Sequence, residues 1–394
     1  MSDMYTQPGQ TPDYGNQSGQ PSGYGSQYGQ PSGYGSQYGQ PSGYGSQYGQ
    51  PSGYGWQPGQ MPGYDWQPEQ RPVVDIKKER SFCNGIGLSY FVFLAVVTLL
   101  QLAITVAVQA FCADLIYLHY PLFFLMTMLP IYVIGYPILL GMNRNKPAVK
   151  RQKHSLGAGN FMIVLMMCFG VMIVGNILGL IVNGVIGAIK GSAVDSAIDS
   201  VMTGNSFWMN VLVVGILAPV FEELIFRKLL VERMLRYGEA VAVLVSGLMF
   251  GLFHGNFGQF FYATFLGMIF AYIYAKTANV EYTIMLHMII NMLSTLMVPV
   301  LQKLTVLDDM TALTDPEVIA SLILPLLFLF LYMILLYGFG IAGIVLLIVK
   351  RKKFTFAPGE VTLPKGKKAS VVWGNAGMIL FTIGCLAMFV LAVL

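Results

Sequence analysis

Long apolar stretches alternate with short polar ones from about Leu88 to the end of the chain. Each stretch holds about 20 residues, enough for a helix to cross a hydrocarbon layer about 30 Å thick. We therefore predict an all-α polytopic membrane protein. The predicted transmembrane helices number about nine, at 88–111, 121–141, 161–187, 207–226, 241–254, 258–275, 283–301, 319–349 and 371–394. The fifth is short, and it either crosses or enters the membrane and turns back.

Residues 1–72 contain no such apolar stretch. A ten-residue repeat, PSGYGSQYGQ, begins at Pro21, Pro31 and Pro41 and then decays. The repeat has too little aliphatic surface to offset its chain entropy. We predict a disordered tail at 1–72 and a transmembrane helical domain at 82–394. A passive tail is favoured over one whose spaced tyrosines bind partners or surfaces.

Composition agrees with a bilayer as the solvent. The chain has 394 residues, of which 55% are hydrophobic and 11% charged, and its mean hydropathy is +0.60. The net charge of +4 is small, which argues against a nucleic-acid partner. The polar tail shows no cleavable signal peptide, so the first transmembrane helix is expected to serve as the targeting signal. Four cysteines lack CxxC spacing and are expected to be small apolar residues, namely Cys83, Cys112, Cys168 and Cys385.

The basic residues predict how the chain is threaded through the membrane. Lys and Arg cluster at 77–80, 144–153, 227–236 and 350–368, whereas the loop near 308–317 is acidic. With the N-terminus in the cytoplasm, nine crossings place all four clusters inside and the acidic loop outside. This is the distribution that the positive-inside rule requires, and it puts the C-terminus outside.

Two adjacent carboxylates lie close to the predicted end of the fourth helix. A charged side chain inside an apolar helix costs about 2.5 to 3.5 kcal/mol, so such residues usually face a cavity or a partner. Glu223 and Arg227 are four residues apart and can form an ion pair, whereas Glu222 is turned away by about 100°. We predict a structural role for Glu223 and Arg227, and a metal-binding, water-activating or proton-exchanging role for Glu222.

Two histidines are predicted to meet these acids. A turn near Tyr237 and Gly238 lies sixteen residues from both Glu222 and His254, so an antiparallel hairpin puts these two side chains at one depth. His287 and Asn291 share one face of the seventh helix. Two histidines, a carboxylate and an amide could hold Zn²⁺ with an open position, or bind water directly. The other two histidines, His119 and His154, lie in or near predicted loops.

Three motifs on successive helices resemble those of the CPBP family of intramembrane peptidases, also called the CAAX-protease and bacteriocin-processing or Abi family. The motifs are EExxxR, FxxxH and HxxxN, formed by Glu222, Glu223, Arg227, Phe250, His254, His287 and Asn291. The resemblance covers roughly 208–299, which places the peptidase core at about 205–302. The sequence FGLFHGN around His254 is similar to that of prokaryotic members, which implies a bacterial cell membrane.

The resemblance implies hydrolysis of a peptide bond in a membrane-embedded or lipid-adjacent protein or peptide. Glu222 and His254 would activate the attacking water, and His287 and Asn291 would complete the site. The family includes a glutamate mechanism and a metal-dependent one. We favour zinc, with Glu222, His254 and His287 as its ligands. Because the fourth-to-fifth loop is basic, the water-filled opening is expected to face the cytoplasm.

Two other functions compete with hydrolysis. A proton-coupled transporter would also use buried Glu and His residues, but the chain shows no inverted repeat, and its polar residues cluster in helices four to seven. A scaffold or immunity-type protein would bind membrane partners through its helices and tail without turnover.

Overall fold

A computed structural model describes residues 74–114, 119–194, 206–308, 311 and 314–394. The predicted tail at 1–72 lies outside the described residues. Within the described ranges every regular element is helical and no strand occurs. The prediction of an all-α polytopic membrane protein is confirmed.

Nine principal helices make up the described part of the chain. They are α1 Ile76–Phe111, α2 Tyr120–Asn143, α3 Ala158–Lys190, α4 Phe207–Tyr237, α5 Glu239–Phe253, α6 Phe257–Thr277, α7 Val280–Asp308, α8 Pro316–Val349 and α9 Ala376–Val393. Eight of them are long and apolar enough to span a membrane, and α5, with 15 residues, is shorter. A five-residue helix, Lys368–Val372, precedes α9.

Short polar side chains define where several helices begin. Asp75 accepts hydrogen bonds from two backbone N–H groups of α1, so this helix starts well before residue 88. Asparagines cap α6, α7 and α9 in the same way, at Asn256, Asn279 and Asn375. Each cap satisfies a backbone donor that the first helical turn leaves free.

The predicted turn between α4 and α5 is present at Tyr237 and Gly238. Gly238 has φ 100°, a backbone conformation that residues with a Cβ atom rarely adopt. The N–H of Gly238 bonds to the carbonyl of Leu235, which closes the last turn of α4. The two helices therefore form the expected hairpin.

Two apolar cores hold the bundle together, and α6 contributes to both. The larger core joins α1, α4, α5, α6 and α9, with Phe226 and Phe381 fully buried. The smaller core joins α3, α6 and α7 around Phe270 and Leu286. Of the four free cysteines, Cys83, Cys168 and Cys385 are buried in these cores, as expected of small apolar residues, and Cys112 is exposed.

Helix α8 is held against α3 by close backbone contact. A Cβ atom at Gly343 would lie 1.8 Å from the carbonyl oxygen of Met166, so only glycine fits there. Small residues allow transmembrane helices to pack closely in a bilayer, where apolar side chains gain little by leaving lipid. The rest of α8 is largely exposed and would face lipid.

Apart from the buried Arg227, the four basic clusters meet at one end of the bundle, which we call the basic end. Backbone bonds join the α2–α3 loop to the ends of α4 and α6, through Val149 to Glu232 at 2.7 Å and His154 to Thr277 at 2.8 Å. Arg236 bonds to Glu79 at 2.8 Å, and its carbonyl accepts a bond from the α8–α9 loop. The predicted same-side placement of these loops agrees with this geometry. The membrane side on which this end lies stays a prediction.

Packing at Gly343 leads to a testable difference between two glycines of α8. Gly343→Ala should lower the free energy of unfolding by about 1–3 kcal/mol, because the added methyl group overlaps the α3 backbone. Gly338→Ala is the matched control, since no heavy atom lies within 4 Å of its Cβ position. Thermal unfolding in detergent should show a lower midpoint for Gly343→Ala alone. Equal midpoints would contradict the α3–α8 contact.

Candidate active site

Helix α4 carries both acids at its middle. Glu222 lies fifteen residues from each end of Phe207–Tyr237. The prediction that α4 ends near 226, just after the acids, is therefore wrong. The polar residues that suggested an end are inside the helix, because Arg227 is paired and Arg233 donates to the carbonyls of Leu229 and Asn143. Two π-helical stretches, at Val211–Leu217 and Leu224–Val231, flank the acids.

A proline in α4 explains the position of Asn291. In the π-helical stretch, the N–H of Ala218 bonds to the carbonyl of Val213. The next donor in this pattern would be Pro219, which has no N–H, so the carbonyl of Val214 lacks its helical partner. Asn291 of α7 replaces that partner, because its Nδ2 donates a hydrogen bond to the Val214 carbonyl oxygen at 3.0 Å. The amide therefore holds α7 against α4 and keeps a second hydrogen for other contacts.

Glu223 forms two contacts in a fully buried position. Its Oε2 lies 3.1 Å from Nε of Arg227, so the expected i,i+4 ion pair is present. Its Oε1 lies 2.9 Å from Nδ1 of His287, a contact between helices that the sequence did not predict. The Arg227 guanidinium lies 4.3 Å from the centre of the Phe250 ring and 5.2 Å from that of Phe270. Glu223 therefore links Arg227 to His287, and this link fixes the orientation of the imidazole ring.

The hydrogen bonds of the two histidines leave the same ring nitrogen available in each. Nδ1 of His254 lies 2.8 Å from the carbonyl oxygen of Phe250. A carbonyl oxygen only accepts, so this nitrogen carries the proton, and Nε2 is left for the cavity. His287 likewise uses Nδ1 towards Glu223, and its Nε2 lies 3.7 Å from Oε2 of Glu222. That separation exceeds a hydrogen bond and suits a bridging water.

One cavity of 960 Å³ brings the four predicted site residues together. Glu222, His254, His287 and Asn291 all line it, and the side chain of Glu222 is 24% exposed. The remaining wall comes from all the helices from α2 to α9, and it contains no charged side chain among the described residues. The site is therefore a polar patch within a mostly apolar chamber.

The cavity extends away from the basic end, contrary to the expected opening beside the α4–α5 loop. Its far wall includes Asn183, Asn256, Thr305 and Val393, which lie near the helix ends opposite that loop. Towards the basic end, α4 is packed by fully buried residues such as Phe226 and Leu230. Among the described residues, none at the basic end lines this cavity.

The predicted zinc site has suitable donor types, but the side chains do not converge. Glutamate and histidine are common zinc ligands. Among the described residues, however, no group of three or more His, Cys, Asp or Glu side chains is arranged to hold a metal ion. In this arrangement the residues do not fit zinc, and zinc binding stays a prediction. The other histidines lie elsewhere, His119 at the start of α2 and His154 at the basic end.

Residues 204–293 match the family described as type II CAAX prenyl endopeptidase Rce1-like. The predicted resemblance to the CPBP family is confirmed, and all seven motif residues fall within the matched segment.

The chain also matches the Bacillus subtilis (strain 168) protein named "Putative membrane peptidase YdiL". The two are 30% identical over 84 residues, which is 21% of this chain and 34% of the relative. The chain thus matches about a third of that relative's length. No solved structure matches the chain significantly.

The buried ion pair predicts an unequal effect of replacing the two acids. Glu223→Gln leaves Arg227 without its countercharge, and breaking a buried pair in this way costs about 3–5 kcal/mol. We expect a clear fall in the thermal midpoint and in abundance. Replacing both residues, as Glu223→Leu with Arg227→Met, should recover part of the loss because no charge remains unpaired.

The matched control is Glu222→Gln, which changes the neighbouring, partly exposed acid by the same chemistry. Its thermal midpoint should stay near that of the wild type. A Glu222→Gln variant destabilised as strongly as Glu223→Gln would show that the two acids share one structural role.

Proposed function

We propose that this chain is an intramembrane endopeptidase that hydrolyses a peptide bond of a membrane-associated substrate with a water activated by Glu222 and His254. The observation that carries the proposal is the shared cavity of Glu222 and the Nε2 atoms of two histidines, inside the segment that matches the Rce1-like family. Peptidase descriptions of the family and of the bacterial relative support the reaction class.

Burial separates the roles of the two acids. Glu223 has no exposed surface and is occupied by Arg227 and His287. The side chain of Glu222 is 24% exposed to the cavity, and its Oε2 lies 3.7 Å from Nε2 of His287. Glu222 is therefore the acid placed to act as a general base towards a water in the cavity.

The reaction follows from these positions. A water held between Glu222 and Nε2 of His254 gives a proton to Glu222 as its oxygen attacks the peptide carbonyl carbon. The free amide hydrogen of Asn291 donates to the developing oxyanion, and His287 lies beside it on the same helix face. Glu222 then passes the proton to the leaving nitrogen. The carbon–nitrogen bond breaks, which yields one carboxyl and one amino product.

The ion pair of Glu223 and Arg227 acts through His287 rather than on the substrate. A carboxylate that accepts a hydrogen bond from the far nitrogen of a histidine fixes the orientation of the ring. Arg227 in turn holds Glu223 in place by direct pairing. We therefore assign Glu223 and Arg227 as positioning residues and Glu222, His254, His287 and Asn291 as the reacting set.

Replacing Glu222 tests the proposal. Glu222→Gln should abolish turnover while the protein still inserts and unfolds at the wild-type temperature, since only the base is lost. Membrane proteomes of cells with wild-type or Glu222→Gln protein, compared by their new N-terminal peptides, would report activity and substrate together. Glu317→Gln is the control, because Glu317 is exposed at the start of α8. Equal peptide patterns in all three strains would favour a non-catalytic scaffold.

Zinc assistance is a separate proposal on which no step above depends. A resident zinc would give close to one equivalent per purified chain by elemental analysis, and His254→Ala and His287→Ala should each lower it. Glu317→Gln should retain the metal. Chelator-resistant activity in protein without zinc would contradict metal assistance and leave the glutamate mechanism.

A further inference from the structure

The two ends of the bundle carry very different charge. In the described part of the chain, every Lys and Arg lies at the basic end except the buried Arg227 and two others, Lys190 and Lys303. The opposite end carries Asp308, Asp315 and Glu317. Lys190 there bonds to the carbonyl oxygens of Val393 and Leu394, at 2.7 and 3.1 Å. By the positive-inside rule, the basic end faces the cytoplasm and the opposite end faces outside.

The cavity occupies only the half of the bundle that faces away from the basic end. Helices α3 and α7 run from the basic end outwards, and they line the cavity from Met172 to Asn183 and from His287 to Thr305. Helix α4 runs inwards, and its contribution stops at Glu222. Glu222 and His287 are therefore the deepest polar groups when the cavity is followed from the outer end.

A continuous layer closes the other half. Immediately below Glu222 lie the buried Glu223–Arg227 pair and the rings of Phe250 and Phe270, whose centres are 4.3 and 5.2 Å from the guanidinium. Phe226, with no exposed surface, packs against Phe250 with ring centres 5.2 Å apart. These groups come from α4, α5 and α6, so the layer is part of the bundle's core.

From these observations we propose that the active site is entered from the external side of the membrane, so that its substrates are peptide segments presented outside the cytoplasm. The direction of access rests on charge and packing alone. The statement that such segments are cleaved rests on the proposed function.

The cavity wall indicates the chemistry of those segments. Among its described residues the ionisable groups that could bind a charged side chain are those of the active site itself. Asn176 and Asn183 line the wall from α3, and neither makes a hydrogen bond with another described residue. Free amides can pair with peptide N–H and C=O groups, which are themselves uncharged. The wall therefore suits an extended, largely apolar and uncharged stretch of chain.

The direction of access can be measured without any assay of catalysis. In a Cys112→Ser background the only exposed native thiol is removed, because the other three cysteines are buried. Asn183→Cys then places a thiol in the outer cavity wall, and Lys352→Cys is the matched control at the basic end. Intact cells are treated with a charged, membrane-impermeant maleimide. We expect labelling of Asn183→Cys before permeabilisation and of Lys352→Cys only after it.

The reverse labelling pattern, or protection of Asn183→Cys until cells are permeabilised, would overturn external access. It would leave the peptidase proposal untouched, because that proposal does not depend on the membrane side.

A second experiment tests from which side of the membrane a substrate is hydrolysed. The probe is a quenched-fluorescent apolar peptide that carries a sulfonated dye, which keeps it from crossing the bilayer. Right-side-out vesicles with wild-type protein should cleave it, and the signal should be lost in Glu222→Gln vesicles and in inside-out wild-type vesicles. Glu222-dependent cleavage in inside-out vesicles alone would overturn external access. Absence of Glu222-dependent cleavage in both orientations and in detergent would instead count against the peptidase function.

Discussion

The buried contact of Glu223 with Arg227 and His287 is the interaction on which the site depends. A carboxylate with no exposed surface is stable only when other groups replace the water that it lost. Arg227 supplies the countercharge and His287 supplies a hydrogen bond. The rings of Phe250 and Phe270 in turn enclose Arg227. A single carboxylate thereby ties together α6 and the three helices that carry the motifs, α4, α5 and α7.

The same contact separates the two neighbouring acids by function. Because consecutive helical residues are turned by about 100°, burial of Glu223 directs Glu222 into the cavity. The layer around Arg227 also limits the cavity to one half of the bundle, so water reaches Glu222 from one direction only. One buried pair therefore determines the orientation of the His287 ring, the exposure of Glu222 and the floor of the chamber. A reaction that consumes water inside a membrane requires all three.

Local spacing was enough to predict part of this arrangement. The i,i+4 pair of Glu223 and Arg227, the shared face of His287 and Asn291 and the turn at Gly238 each follow from helix geometry within a few residues. The end of α4 did not follow, because Arg227 and Arg233 resemble loop residues by composition. Their charges are compensated by groups distant in sequence, such as the Asn143 carbonyl, 90 residues from Arg233. Local composition therefore cannot distinguish a loop arginine from a paired one.

The other features of the site, namely its contacts between helices and the direction of its cavity, depend on how the helices pack. The sequence carried weak signals or none for these features. His287 and Glu223 are 64 residues apart, and Asn291 and Val214 are 77 apart. Pro219 was the available clue to the second contact, since a proline inside a helix frees a carbonyl that another side chain must satisfy. The direction of the cavity had no such clue. Charges in the loops bias how the helices insert, whereas the position of a cavity depends on where their side chains pack. A basic loop can therefore predict the side on which a helix ends, but not the side from which the chamber between the helices is reached.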